Sequence, residues 1–236
     1  GTDEHGTKIY EGAIKEGLST QAYVDKYSQR FRDFCKLANI SYDGFIRTTD
    51  DRHKRAAIKM WNICKDNGDI YKAKQLIHYC VGCEMEKTDS DLVDGKCPDH
   101  PGREIEVYEE ENYFFRFSKY KDKLLELYER GLVVPQAKLN EIREFVRRGL
   151  HDFSVSRLRT KLPWGVPVPG DDEHVMYVWF DALTSYIATL DWADDGENFK
   201  KFWSEDSLIT QYCGKDNNKS QSAIWQAMLF SSGIKN

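Results

Sequence analysis

The sequence has no run of apolar residues that approaches the roughly 20 needed to cross a membrane, no internal repeat and no low-complexity segment. Residues 1–6 contain no apolar run either and do not read as a signal peptide. These absences predict a cytoplasmic globular protein in which thiols stay reduced. The net charge of -5 argues against a grip on long duplex DNA, although a local basic strip for RNA is compatible with it.

Several signatures of nucleotide-binding and hydrolytic enzymes are also missing. The chain has no G-x-x-x-x-G-K-[ST] phosphate loop, no G-x-G-x-x-G fingerprint and no G-x-S-x-G elbow. The zinc deaminase signature fails as well, because the proline follows Cys97 and no upstream His-x-Glu occurs. None of these enzyme classes is therefore indicated.

Four soft donors do occur with the spacing of a zinc site. They are Cys80, Cys83, Cys97 and His100, which form a C-x2-C and a C-x2-H pair. The loop between the pairs contains Asp94-Gly95, which predicts a hairpin turn. Four ligands complete a tetrahedral shell, so we predict structural rather than catalytic zinc. Unrelated buried thiols and a disulfide are the alternatives.

Hydrophobic periodicity predicts two amphipathic helices early in the chain. The first starts at a Ser19 or Thr20 cap and is expected to bury Val24, Tyr27, Phe31, Phe34, Cys35 and Ala38. The second starts at a Thr48 or Thr49 cap, stops at Asn67-Gly68, and is expected to bury Ala56, Ala57, Met60, Trp61 and Cys64. Residues 69–112 are turn-rich by comparison, and the acidic run 109–111 is expected to be a solvated turn.

Strand and helix patterns alternate near the end of the chain. Residues 175–180 form a continuous apolar run typical of a strand buried on both faces, and a helix from Asp181 to about Leu190 follows. Residues 208–212 read as a second strand, followed by a turn at 214–216 and a helix over 220–232. This order predicts a doubly wound α/β fold, with residues 179–186 and 214–221 at one crevice at the carboxyl ends of the strands.

Seven motifs in order resemble one family over essentially the whole chain. They are Gly1-Thr-Asp-Glu-His-Gly6, the Cys/Cys/Cys/His group, Glu111-Asn-Tyr-Phe-Phe-Arg116, Ser154-Val-Ser-Arg157, Trp164-Gly-Val-Pro-Val-Pro169, Tyr177-Val-Trp-Phe-Asp-Ala182 and Gly214-Lys-Asp216. Together they resemble the catalytic region of class I methionyl-tRNA synthetases. The resemblance implies an α/β fold: a Rossmann-like doubly wound parallel sheet, in residues 1–68 and 161–236, interrupted by a zinc-binding connective-peptide insert in residues 69–160.

The resemblance also implies a two-step reaction. The methionine carboxylate attacks the α-phosphate of ATP, whose counter-ion is Mg²⁺, and a terminal ribose hydroxyl of the methionine tRNA then attacks the adenylate. Neither step needs a protein nucleophile, so positioning and charge stabilisation carry the catalysis. Structural Zn²⁺, ATP, methionine and methionine tRNA are the implied ligands, with no DNA and no membrane, while the oligomeric state is not indicated.

The family's site residues map onto this sequence by position. Asp3 matches the acid that holds the methionine ammonium. The catalytic set is Asp3, His5 and Arg157; the ATP set is Gly6, Gly214 and Asp216; and the methionine pocket is Asp3, Trp179, Ala182, Leu183, Tyr186 and Gln221. Plain core packing is the alternative for the wall residues Trp179 to Tyr186, and a surface salt bridge is the alternative for Arg157.

The chain departs from the family pattern at several points. Gln221 replaces a pocket histidine, and Asn217 replaces an apolar residue, so two amides would need partners if buried. The signatures His-Ile-Gly-His and Lys-Met-Ser-Lys-Ser are absent and are expected before Gly1 and after Asn236, so these residues alone are expected to be inactive. The alternatives are another class I synthetase, although the chain has no room for a large editing insert, and a non-catalytic zinc-containing binding module.

Overall fold

The computed structural model describes residues 1–80, 85–87 and 92–235. Packing divides the chain into a larger unit, Gly1–Tyr71 with Phe114–Asn236, and a smaller unit, Lys72–Tyr113. The smaller unit falls inside the expected insert of residues 69–160 and is shorter than it. An insert defined along the sequence can pack its flanks onto the host domain, so the three-part division of the sequence stays a prediction.

Nine α-helices are defined among the described residues. They are α1 Thr7–Lys15, α2 Thr20–Leu37, α3 Asp51–Asp66, α4 Lys121–Glu129, α5 Gln136–Arg147, α6 Val178–Leu183, α7 Ser185–Ala188, α8 Glu197–Phe202 and α9 Trp225–Ser232. A π-helical turn, Ser220–Ile224, leads into α9, which ends where predicted, with Gly233 at a φ of 71°. None of the helices in these ranges is long and apolar enough to cross a bilayer.

Helix α2 begins as predicted but buries less of itself than expected. The Ser19 hydroxyl caps it by accepting a hydrogen bond of 3.2 Å from the N–H of Ala22. Phe31 and Phe34, which we expected to be buried, are 55% and 58% exposed. The cause is length: α2 has 18 residues and packs against α1, which has nine, so α1 leaves the second half of α2 uncovered.

Helix α3 confirms its predicted buried face, because Ala56, Ala57, Met60, Trp61 and Cys64 are all fully buried. Its end is confirmed by Gly68, whose φ of 73° suits a residue just past a helix. The predicted cap is wrong, since Asp50 occupies that position. Thr48 and Thr49 instead bind Glu4: the Thr48 hydroxyl accepts from the Glu4 N–H at 2.9 Å, and the Thr49 hydroxyl donates to the Glu4 carboxylate.

The described strands form two sheets, ordered β2-β1-β3-β4 and β5-β7-β6. They are β1 Ile70–Cys80, β2 Met85–Lys87, β3 Glu106–Phe115, β4 Phe153–Ser154, β5 Ser156–Leu158, β6 Pro167–Val168 and β7 Asp171–Met176. Every strand pairing whose register is defined is antiparallel, and the parallel pairing among the described residues is a single bridge between Thr2 and Arg47. The expected doubly wound parallel sheet is therefore not formed by the described strands.

Two strand predictions account for this difference. The run 175–180 is split, because β7 ends at Met176 and α6 begins at Val178. A short apolar run has no period that separates a strand from a buried helix, so the pattern could not locate the boundary. Residues 208–212 form no strand, and Leu208 and Tyr212 are 96% and 90% exposed. In the described part of the chain this segment makes no backbone hydrogen bond to another, and an apolar run becomes a strand only when its backbone groups find a partner.

The smaller unit corrects one prediction and confirms another. The acidic run 109–111 lies within β3, where Glu110 is buried while Glu109 and Glu111 pair with Lys74 at 2.7 Å and Lys72 at 3.1 Å. The alternation of a strand, and not a turn, thus separates the three carboxylates. The hairpin turn at Asp94-Gly95 is confirmed: both residues have positive φ, and flanking Val93 and Lys96 exchange backbone hydrogen bonds of 2.9 and 3.0 Å.

Candidate active site and candidate metal cluster

A buried carboxylate lies at the centre of the polar residues of the larger unit. Asp181, on α6, is fully buried and accepts hydrogen bonds from two imidazoles. His5 Nδ1 contacts one carboxylate oxygen, and His53 Nε2, from the first turn of α3, contacts the other at 2.5 Å. Both rings are buried. Three segments remote in sequence therefore meet in one cluster, which we call the Asp181 cluster (His5, His53 and Asp181).

The Asp181 cluster keeps its carboxylate ionised. Burial by itself would raise the pKa of Asp181, because a charge loses its hydration. The hydrogen bonds from His5 and His53 outweigh that effect and lower the pKa of Asp181 below its ordinary value. The negative charge of Asp181 thus lies beneath the surface, close enough to act on Asp3.

Asp3 experiences the opposite balance. Its side chain is open to solvent, yet crowding by surrounding atoms desolvates the carboxyl and, with the negative charge of Asp181, raises the pKa of Asp3 to about 7. The backbone N–H of His5 donates to this carboxylate and opposes the shift. The negative charge of ionised Asp3 is therefore only weakly stabilised by its surroundings, and a nearby cation would stabilise it further. This is the property that binding of an ammonium group requires.

The buried side chain of Glu4 anchors the turn that carries Asp3 and His5. The buried Glu4 carboxylate accepts hydrogen bonds from Thr2 Oγ1 at 2.6 Å and Arg47 Nε at 2.7 Å. The indole N–H of Trp164 donates to the Glu4 carbonyl at 2.7 Å, and the Trp164 ring meets the His5 ring edge-on at 5.8 Å. These contacts fix the turn in one conformation.

Gly6 ends the same turn and begins α1. Its φ of 100° lies where side chains are rarely tolerated, and a Cβ there would meet Val178 of α6 at 3.5 Å. The structure therefore brings Asp3, His5 and Gly6 together against the start of α6, as the sequence predicts for one site. Contact with a nucleotide stays a prediction for Gly6.

The predicted methionine-pocket residues lie along α6 and α7 with graded exposure. Trp179 is 43% exposed, Ala182 and Tyr186 are half-buried, and Leu183 is buried. Trp179 contacts the Tyr177 ring at 6.0 Å, and the Arg157 guanidinium lies 4.3 Å from the centre of that ring. An exposed tryptophan beside half-buried neighbours fits the wall of an open pocket better than core packing does.

Arg157 lies on β5 and points over Tyr177. It donates hydrogen bonds to Ser154 Oγ at 3.0 Å and to the Ser156 carbonyl at 2.7 Å. In the described part of the chain no carboxylate pairs with it, so the alternative of a surface salt bridge is not observed there. Its charge therefore remains available to an anionic group.

Gln221, which replaces a histidine of the family pattern, is buried and has hydrogen-bond partners. Its buried carbonyl accepts from the Tyr186 hydroxyl, and its amide N–H donates to Gln211 Oε1 at 2.5 Å. The Tyr186 ring also packs on Trp225 at 5.7 Å. The buried amide thus has partners on both sides, while Asn217 is exposed and needs none.

The predicted adenosine residues are the least constrained. Gly214 and Asp216 are exposed in a short turn, and the φ of -61° at Gly214 suits any residue. A Cβ added at Gly214 would meet only Asn217 Nδ2, at 3.9 Å. Their place in one cleft with Asp3 stays a prediction.

A group of soft donors is formed in the smaller unit. The ligand atoms of Cys80, Cys97 and His100 all lie within 4.8 Å of one another, and each sulfur is 3.9 Å from His100 Nδ1. Both cysteines are buried. Cys83, the fourth predicted ligand, lies outside the described residues. Two thiols and an imidazole at this spacing fit zinc, which prefers S and N donors.

The sequence analysis did not identify the residues that support the site side chains through hydrogen bonds. Glu4 and Asp181 stood inside quoted motifs without a role, and His53 and Gln211 were not singled out. One signal was available for His53: it lies three residues before Ala56, on the buried face of α3. A titratable residue on an apolar helix face indicates a buried polar partner.

A family profile agrees with this arrangement. The profile of the family "tRNA synthetases class I (M)" matches residues 1–104 and 100–236. The chain belongs to this family. A curated relative, the methionine–tRNA ligase of Caldanaerobacter subterraneus subsp. tengcongensis, is 44% identical over 99% of this chain and 36% of its own length. The methionine–tRNA ligase of Brucella suis is 41% identical over 99% of this chain and 45% of its own.

Solved structures match over the same extent. A Mycobacterium tuberculosis methionyl-tRNA synthetase bound by methionyl-adenylate has a TM-score of 0.84 and 40% identity, covering 100% of this chain and 47% of that one. The apo form of that enzyme has a TM-score of 0.73 and 38% identity, covering 91% of this chain and 43% of that one. The fold is therefore the Rossmann-like α/β fold of class I synthetases. The chain spans between about a third and a half of the length of these relatives.

Proposed function

We propose that this chain is the catalytic region of a methionine–tRNA ligase, which activates methionine with ATP and transfers it to the 3′ end of methionine tRNA in the cytoplasm. The observation that carries the proposal is the match of the whole chain to a synthetase bound by methionyl-adenylate. Family membership supports the reaction class, and the environment of Asp3 supports recognition of an amino acid.

In this proposal Asp3 binds the methionine ammonium. The raised pKa of Asp3 means that its ionised form lacks compensation, so an incoming cation both pairs with it and drives its ionisation. Trp179, Ala182, Leu183 and Tyr186 line the thioether side chain, since sulfur gains from contact with aromatic rings. Gln221 holds the Tyr186 hydroxyl and so fixes one wall of the pocket.

ATP would occupy the other side of the cleft, with Mg²⁺ as its counter-ion. Gly6 permits close backbone approach, and Gly214 and Asp216 are assigned to the adenosine, whose ribose hydroxyls suit a carboxylate acceptor. Arg157 is assigned to the phosphates, because it holds its charge without a carboxylate partner in the described residues. Charge stabilisation by such groups is what adenylate formation requires.

Zinc is the second part of the proposal. Cys80, Cys83, Cys97 and His100 would bind one structural ion and fold the connective-peptide insert assigned to residues 69–160. The grouped donors of Cys80, Cys97 and His100 support this. With all four positions occupied by protein, the ion would stabilise the insert and take no part in catalysis.

The test is amino-acid-dependent exchange of pyrophosphate into ATP by the complete protein that carries this chain. Methionine is expected to support exchange, and leucine, isoleucine and valine are not. The Asp3→Asn variant is expected to lose exchange with methionine while keeping its fold by circular dichroism. Exchange with a branched-chain amino acid instead of methionine, or with none of the four, would overturn the proposal.

A further inference from the structure

We propose that His53 is a positioning residue of this site: through Asp181 it holds His5 in the Nδ1–H tautomer, which leaves His5 Nε2 as a hydrogen-bond acceptor beside Asp3. The inference rests on the proposed function, because it assigns the open nitrogen to the amino group of the substrate. The observation behind it is the placement of one buried carboxylate between two buried imidazoles.

Asp181 dictates which ring nitrogens carry protons. An ionised carboxylate can only accept, so both nitrogens that contact it must donate. His5 therefore carries its proton on Nδ1, and His53 carries its proton on Nε2. In a neutral imidazole the other nitrogen is an acceptor. The tautomer of His5 is thus decided by a group that no substrate touches.

His53 is confined to its role by burial. Its Nδ1 is sealed from solvent and has no hydrogen-bond partner among the described residues. A proton there would be a buried donor without an acceptor, which costs about 1–3 kcal/mol or more. A neutral ring that keeps its single N–H on Asp181 avoids that cost, and His53 and its helix neighbours Ala56 and Ala57 are all fully buried.

His53 matters because Asp181 would otherwise be under-satisfied. A fully buried carboxylate with a single donor would gain from recruiting water or from moving away from His5. Either change frees the His5 ring to adopt the Nε2–H tautomer, which presents a donor instead of an acceptor. A donor opposes a substrate ammonium, whereas an acceptor next to the Asp3 carboxylate completes a site for one.

His5 Nε2 is the nitrogen left over for a ligand. In the described chain it makes no hydrogen bond, and it is not among the nitrogens sealed from solvent. The His5 backbone N–H donates to the Asp3 carboxylate, so the two residues share one turn. A carboxylate and a neutral imidazole together can accept two of the three N–H groups of a primary ammonium.

The test compares His53→Leu with His53→Gln in the complete protein. Leucine removes the donor, whereas the glutamine amide can place an N–H near the position of the imidazole Nε2–H. Long-range ¹H–¹⁵N correlation spectra are expected to show His5 as Nδ1–H in the wild type and in His53→Gln, and as Nε2–H or a mixture in His53→Leu. The KM for methionine is expected to rise about tenfold in His53→Leu, as for one lost hydrogen bond to a charged group, with the KM for ATP unchanged.

His174→Gln provides the matched control. His174 is a buried histidine of the same unit that pairs with Asp171 at 3.1 Å and is not a partner of Asp181, so its loss should leave the His5 tautomer unchanged. The proposal is overturned by a wild-type His5 that is Nε2–H, by an unchanged tautomer in folded His53→Leu, or by equal rises in both KM values. Absence of methionine-dependent exchange in the wild type would instead defeat the proposed function, and the spectra would still decide the tautomer.

Discussion

Cys80 and His100 lie 20 residues apart in the chain, whereas His5 and Asp181 lie 176 apart and His53 and Asp181 lie 128 apart. The first pair belongs to the soft donors of the smaller unit (Cys80, Cys97 and His100), and the other two pairs belong to the Asp181 cluster. Both groups bring polar side chains together. The first takes its ligands from one local stretch of the smaller unit, and the second takes its residues from three elements of the larger unit. The Asp181 cluster therefore exists only when the larger unit is folded.

The difference teaches what each group depends on. Thiols and an imidazole close together are satisfied by a metal ion, so the donor cluster of the smaller unit should couple its folding to zinc. The Asp181 cluster is satisfied by its own donors and should depend on packing alone. Loss of a metal ligand and loss of the buried carboxylate should therefore have separate effects, the first on zinc content and the second on the free energy of unfolding.

The largest effect is expected at the metal cluster. Cys97→Ser or Cys80→Ser should reduce bound zinc from one ion per chain to almost none, because the thiolate is the preferred ligand. Elemental analysis of the purified protein measures this. Cys213→Ser, which changes an exposed thiol, is the matched control and should keep the metal. Full metal content in both ligand variants would show that the ligands are assigned wrongly.

The Asp181 cluster should show the next largest effect. Asp181→Leu leaves the N–H of His53 buried without an acceptor in either tautomer, and such an unsatisfied donor costs about 1–3 kcal/mol. The free energy of unfolding should fall by about that amount, as measured in urea, with zinc content unchanged. Asp194→Ala removes an exposed partner of Arg55 at 2.7 Å and should cost at most about 1 kcal/mol. Equal losses in the free energy of unfolding for the two variants would show that the buried cluster contributes no more stability than an exposed ion pair.

Asp3 should make the free energy of unfolding depend on pH. Its pKa is raised to about 7 from 3.8, so between these values the unfolded chain loses a proton that the folded chain keeps. This carboxyl therefore lowers the free energy of unfolding as pH rises from about 4 to 7, and it has no further effect above 7. Urea unfolding across this range should show a weaker fall for Asp3→Asn than for the wild type. If the free energy of unfolding changed with pH in the same way in both proteins, Asp3 would not be the cause of the fall.

The same carboxyl should control ligand binding in the opposite sense. An ammonium binds the ionised form, so methionine affinity of the complete protein should fall as pH drops below about 7, approaching tenfold per pH unit. Calorimetric titration at several pH values measures this. A flat affinity between pH 5 and 8 would remove Asp3 from ammonium recognition.

The smallest effect is expected at the neutral contact of Tyr186 with Gln221. Tyr186→Phe keeps the ring against Trp225 and removes the hydroxyl that Gln221 accepts. A neutral hydrogen bond contributes about 1 kcal/mol, so the free energy of unfolding and the methionine KM should change modestly, the latter about fivefold. A loss as large as that of Asp181→Leu would mean that this contact is more than a neutral wall support.

Local patterns predicted local structure well. The positive φ values of Asp94 and Gly95 and the buried face of α3 follow from short-range rules of turn chemistry and helical period. The same rules gave wrong predictions where contacts between distant segments determine burial and strand formation. Phe31 and Phe34 are exposed because α1 is short, and residues 208–212 form no strand because their backbone finds no hydrogen-bond partner among the described residues.

The sequence by itself determined the family and the soft donors Cys80, Cys97 and His100 of the smaller unit, and it predicts Asp3 and Trp179 as site residues, since motif order and ligand spacing are properties of the chain. Only the tertiary structure decided that Asp181 lies between His5 and His53, that Glu4 anchors the turn, and that Gln221 is satisfied by Tyr186 and Gln211. The reason is physical. A buried polar group is compatible with folding only where partners from distant segments reach it, and those partners have no fixed spacing in sequence.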